Sequence, residues 1–128
     1  MILLDTSVWV DHLRVGDKVV VNLLVSGRVL IHPFVLGELA LGNLRQRQTI
    51  FSALQDLPAA TMATDAEVLR FIDRHALAGL GIGYIDVHLL AATLLTSGSS
   101  LWTRDRRLAD VAGRLGVASG LPAAPHGT

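Results

Sequence analysis

The stretch Ile2-Leu3-Leu4-Asp5-Thr6-Ser7-Val8-Trp9 constrains this chain more than any other. Three apolar residues in a row, with no polar alternation, suit a short strand buried on both faces of a parallel sheet. The run stops at an acid and passes into helix-compatible sequence, which puts Asp5 at the strand's carboxyl end. Open α/β sheets place their ligand crevice along that edge. The same layout returns at Leu101-Trp102-Thr103-Arg104-Asp105, again an apolar run, an acid and a helix.

Between these two points strands and helices alternate. A helix over 8–14 ends at Gly16, and Asp17 caps a second one through Leu24 that stops at Ser26-Gly27. Residues 28–32 read as a second strand, and Pro33 opens a helix to about Leu41, in the first-turn position that proline tolerates. Apolar residues at helical spacing predict helices over 44–57 and 65–77, the second capped by Thr64 or Asp65. Residues 84–96 are apolar nearly all round and belong in the middle of the domain. A strand over 100–103 and a helix over 105–115 follow, with 58–62 and 117–118 as the weakest strand candidates. The expectation is an α/β fold: a three-layer α/β/α sandwich around a mainly parallel sheet of four to five short strands.

Length allows one domain, expected over 1–119, and the Pro- and Gly-containing residues 120–128 read as a flexible tail. Hydrophobic residues make up 51% of the chain and charged ones 17%, so much of it must be buried, internally or against a partner. There is no cysteine, which excludes thiol chemistry and cysteine-bound zinc. No leader-like segment opens the sequence and no apolar run reaches the roughly 18 residues of a membrane span, so the expected location is cytoplasmic, with no membrane partner. Eleven basic and eleven acidic residues cancel, and composition alone gives no sign of nucleic acid.

Four acids stand in unusual places. Glu38 has Phe34, Val35, Leu41 and Gly42 as its helical neighbours, and no Lys or Arg falls between Arg28 and Arg45. A carboxylate on such a face needs a cation, hydrogen bonds or a metal. Asp86 has Leu89 and Leu90 one turn on, though its first-turn position favours negative charge. Asp5 and Asp105, taken singly, read equally well as helix caps. Together, two strand-end acids and two acids on apolar helix faces converge on one rim of a parallel sheet. Ligands that are oxygen only favour Mg²⁺ or Mn²⁺ over zinc. Thr6, Ser7 and Thr103 put hydroxyls beside Asp5 and Asp105, able either to orient carboxylates or simply to cap helices. Arg104, Arg106 and Arg107 flank Asp105 as a basic patch, with Arg45 and Arg47 a weaker second one. His88 reads as structural.

These residues resemble the PIN-domain nucleases, and within them the VapC-like ribonuclease toxins of type II toxin–antitoxin pairs. The matching pieces are Leu4 to Trp9, His32-Pro33 through Glu38-Leu39, Gly83 to Leu90, and Leu101 to Leu108, in the family's order over nearly the whole domain. The resemblance implies that Asp5, Glu38, Asp86 and Asp105 are the catalytic, metal-holding quartet, with Thr6 and Thr103 as the accompanying hydroxyl residues. It also implies a Mg²⁺- or Mn²⁺-dependent endoribonuclease acting on RNA, whose phosphates Arg104, Arg106 and Arg107 are the candidates to grip, an antitoxin protein as partner, and a homodimer. Helices such as 19–24 and 44–54 would offer the partner a groove.

Three other readings compete. An aspartyl-phosphate phosphatase needs a second Asp two residues after the first, where this chain has Ser7. A receiver-like phosphoacceptor needs a late lysine, and the only lysine is Lys18. A binding module of the same fold, using metal structurally or not at all, shares every residue type with the enzyme.

Overall fold

A computed structural model describes residues 1–123. Its elements run β1 (Ile2–Leu4), α1 (Thr6–Val15), α2 (Lys18–Val25), β2 (Val29–Leu30), α3 (Pro33–Ala40), α4 (Arg47–Gln55), α5 (Asp65–Arg74), α6 (Tyr84–Leu95), β3 (Ser100–Trp102) and α7 (Arg106–Arg114). The three strands form one parallel sheet in the order β2-β1-β3. Ile2 and Leu3 pair with Val29 and Leu30 on one side, and Ile2 to Leu4 with Ser100 to Trp102 on the other.

β1 is thus the central strand. Successive side chains on a strand point to opposite faces, and Ile2, Leu3 and Leu4 are all buried, so both faces of the sheet are covered. The chain leaves β1 toward β2 and later returns to its other side as β3. That reversal opens a crevice beyond the carboxyl ends of β1 and β3. Trp9 and Trp102 close the core beneath it, with Leu89, Leu90 and Leu108 among the fully buried residues around them. Each such side chain contributes on the order of 2 kcal/mol through its removal from water.

The sheet is narrower than the four to five strands expected. Residues near 58–62 and 117–118 contribute only single parallel bridges, Ile31 with Ala59 and Leu101 with Ala118. Pro58 supplies an acceptor to Ile31 but has no N–H of its own to extend a ladder. The helix expected from 44 starts at Arg47, because Gln46 takes the left-handed conformation (φ 50°). Arg47 itself donates to the carbonyls of Ala40 and Gly42 and lies over the Phe51 ring, which ties the end of α3 to the start of α4. The expected flexible tail lies partly outside the described residues. Within them, the Pro122 carbonyl accepts from Trp102 Nε1 at 2.9 Å.

Among the described residues no helix is long and apolar enough to cross a membrane.

Candidate active site

The rim is built from the ends of the three strands. Asp5 leaves β1 and caps α1; its Oδ1 accepts from the Thr6 N–H at 2.8 Å. Its Oδ2 accepts from Thr103 Oγ1 at 2.7 Å and Ser7 Oγ at 2.9 Å. Both oxygens are therefore committed, and the residue is buried. Thr103 also accepts from the Asp105 N–H at 3.0 Å, and Ser7 Oγ from the Arg104 N–H at 3.0 Å. The two strand ends are stitched together through Asp5.

Glu38 reaches the same corner from α3, where its Oε1 accepts from Thr6 Oγ1 at 2.7 Å. It is exposed, not buried as its apolar neighbours suggested. The reason is that Leu41, one of those neighbours, itself stands in solvent at 90% exposure. The apolar residues of this helix do not all mark its inner face. Asp105 is exposed too and caps α7, Oδ1 accepting from the N–H groups of Arg107 (2.9 Å) and Leu108 (3.3 Å). Asp86 is half-buried in the first turn of α6, with Oδ2 accepting from the Gly83 N–H at 3.0 Å.

Electrostatics bind the four together. Burial pushes the Asp86 carboxyl above the usual carboxylate range, the Gly83 N–H opposes that, and the negative charges of Asp5, Asp105 and Glu38 add to the rise. The other three acids therefore stand near enough to Asp86 for their charges to act on it. Among the described residues no three of them form a ready-made metal cluster. Glu38 Oε2, Asp86 Oδ1 and Asp105 Oδ2 nevertheless take no hydrogen bond there, which leaves three carboxylate oxygens open. An oxygen-only donor set of this kind fits Mg²⁺ or Mn²⁺.

The three arginines separate. Arg106 and Arg107 are exposed. Arg107 lies across Gly81, so close that a Cβ there would stand 2.6 Å from its Nη1. Gly81 is also at φ +80°, a backbone state that favours glycine. Arg104 points the other way. Its guanidinium pairs with Asp17 at 2.8 Å and Asp11 at 3.1 Å, donates to the Pro122 carbonyl and lies over the Trp102 ring. Arg104, expected from sequence to face RNA, is thus turned toward the protein's own acids, away from Arg106 and Arg107. Burial raises the Asp17 carboxyl, but the Val20 N–H, Arg104 and the Val19 N–H together hold it below the usual range. Asp11 and Asp17 read from sequence only as a solvated acid and a cap, and Ser7 as a possible cap. Their joint role had no local signal, because Arg104 lies 93 and 87 residues away from the two acids.

Two histidines sit under α3 and α6. His32 caps α3, its Nδ1 accepting from the Phe34 N–H at 3.0 Å. Burial and the facing His88 lower its pKa to about 4, so the ring is neutral at physiological pH. His88 is buried, with Nε2 3.2 Å from Asp65 Oδ1.

The sequence comparison gives this sheet and its acidic rim a family: the chain belongs to the PIN-domain family, whose pattern matches residues 2–114. It is 44% identical over 118 residues to Ribonuclease VapC32 of Mycobacterium tuberculosis, in strains CDC 1551 / Oshkosh and ATCC 25618 / H37Rv. The match covers 92% of this chain and 95% of each relative.

Proposed function

We infer that this chain is an endoribonuclease of the VapC kind, the toxin of a toxin–antitoxin pair, hydrolysing RNA phosphodiester bonds with Mg²⁺ or Mn²⁺. The observation that carries the reading is the gathering of Asp5, Glu38 and Asp105 close enough to raise the half-buried Asp86 carboxyl, in a chain so similar to a named ribonuclease. Glu38, Asp86 and Asp105 would hold the cation with their open oxygens, beside Asp5. When bound, the ion activates the attacking water and offsets the charge that develops on the phosphate. Thr103 and Ser7 keep the Asp5 carboxylate from turning, and Thr6 does the same for Glu38. In the hydrolysis the water oxygen bonds to phosphorus, its proton passes to a carboxylate of the cluster, and the ribose oxygen leaves. Arg106 and Arg107 hold flanking phosphates from the Asp105 side.

The partner reading has its own support. Val15, Val21, Val25 and Leu41 are exposed at 75, 46, 83 and 90%, apolar surface suited to an antitoxin helix. Leu94 and Leu95 border a second cavity of about 540 Å³ with Phe71, a face suited to a second copy of the chain. The pair would act in the cytoplasm.

The test is cleavage of a mixed RNA pool with Mn²⁺ or Mg²⁺ against EDTA, beside Asp86→Asn. Loss of the carboxylate should lower cutting by on the order of 10²-fold or more. Millimolar metal should also raise the Tm of the wild type and not of the variant. A folded wild type that neither cuts RNA nor gains stability from metal would favour a non-catalytic binding module.

A further inference from the structure

The acids occupy only part of the concave surface. On the β2 side of Glu38 a cavity of about 760 Å³ opens between α1, α3 and the loop that precedes α4. Its walls include Val10, Leu13 and Ile50, its rim carries Arg14 and Arg45, and Glu38 forms its boundary with the acidic cluster. The volume is in the range of small-ligand sites, roughly 300–1,000 Å³. We propose that this cavity is a nucleotide subsite, seating the base and sugar next to the scissile phosphate on the Glu38 side of the cut. The proposal rests on the ribonuclease reading and names where its substrate lies.

Topology supplies the first argument. Asp5 and Asp105 follow the neighbouring strands β1 and β3, and Glu38, on the helix after β2, is tied through Thr6 to the Asp5 side of the rim. An RNA strand laid along it meets Arg106 and Arg107 past one end and the cavity with Arg14 and Arg45 past the other.

The chemistry of the walls supplies the second. Arg45 is exposed and makes no hydrogen bond or ion pair among the described residues. Arg14 is 73% exposed and has only a 3.8 Å contact to Asp11, a carboxylate that Arg104 already holds at 3.1 Å. Two loosely held cations beside apolar walls suit a phosphate and a base, whose faces are apolar. An apolar peptide segment would cover the walls and leave both guanidinium groups unmatched. Gln46, on the same wall, is held at φ +50°, a backbone state that non-glycine residues adopt at some cost and that often marks a binding loop.

The test uses random-sequence single-stranded RNA with the wild type, Val10→Glu and Arg45→Ala. Val10 is 47% exposed and Arg45 exposed, so both variants should melt as the wild type does. With Mn²⁺, wild-type fragments should show a nucleotide preference on one side of the cut. Val10→Glu should erase that preference and raise KM about tenfold, the size of one lost base contact. Arg45→Ala should raise KM and reduce the salt slope of binding by about 0.7. Unchanged preference, KM and salt slope in both variants would overturn the subsite and leave the ribonuclease reading standing. A wild type that binds the RNA, more weakly as Val10→Glu, but never cuts it would remove the ribonuclease reading and keep the subsite. A wild type that does not bind the RNA overturns the subsite. Variants that cut normally but lose a co-expressed partner protein would overturn it in favour of a protein-docking surface.

Discussion

The two sides of the acidic rim are held in different ways. At the β1–β3 corner Asp5, Ser7, Thr103 and Arg104 form a closed set, both carboxylate oxygens of Asp5 taken up by its neighbours. On the α3–α6 side Glu38 and Asp86 each have one oxygen bonded and one open, and two buried histidines beneath them keep unpartnered nitrogens among the described residues, His32 Nε2 and His88 Nδ1. The corner is stabilising. The other side carries the cost of packing like charges and polar groups together, which is where a binding or catalytic function keeps its strain. One half of the site is therefore scaffold and the other half is the part that a cation and a substrate would relax.

The sharpest way to break this contrast is to cut the scaffold. Arg104 is nearly buried, with its side chain 9% exposed, and it neutralises Asp17, 5% exposed, and Asp11. Removing one partner of a buried ion pair leaves the other charge uncompensated. Arg104→Ala should therefore cost about 3 kcal/mol of stability, read from urea or thermal unfolding. A loss below about 1 kcal/mol would reduce the clasp to an ordinary surface pair and with it the idea of a rigid half.

His32 probes the opposite side. Its folded pKa is about 4, against an ordinary 6.5, with burial as the main cause and His88 second. Between these values the unfolded chain binds a proton that the folded chain refuses. The stability tied to this ring is complete above pH 6.5 and is lost as pH falls through about 4, amounting to about 3 kcal/mol. Asn also caps helices, so His32→Asn can keep the bond to Phe34 while removing the titration. The variant should lose less Tm than the wild type between pH 7 and 4.5. Equal losses would mean that the acid sensitivity lies elsewhere.

Much of the site's frame was legible because it is local. A strand ending in an acid that caps the next helix is written within a few residues, and Asp5, Asp17, Thr64 and Asp105 all cap as their positions imply. The parallel α/β class followed from the same alternation of short apolar runs and helices. What was not legible depends on partners far along the chain. Arg104 sits among three arginines of similar local setting, and only the fold reveals that acids 93 and 87 residues earlier claim it. Glu38 misled for a related reason: apolar neighbours signal burial only when they face the core, and Leu41 does not. The edge strands at Ala59 and Ala118 failed to extend because a strand's length is set by what pairs with it, and each has a single bridge.

The last comparison is between arginines three residues apart. Arg104 is built into the corner, whereas Arg107 is exposed and lies loosely across Gly81. If the first serves stability and the second substrate, their variants should fail in opposite assays. Arg106→Ala with Arg107→Ala should leave unfolding within about 0.5 kcal/mol of the wild type, as surface changes usually do. The same pair should weaken RNA binding and reduce its salt slope by about 1.4, two phosphate contacts on a single strand. Salt titrations of binding to a fluorescent single-stranded RNA read this directly. A slope that does not move, with affinity unchanged, would take the substrate away from the Asp105 end of the rim and leave the cavity beside Glu38 as its only basic flank.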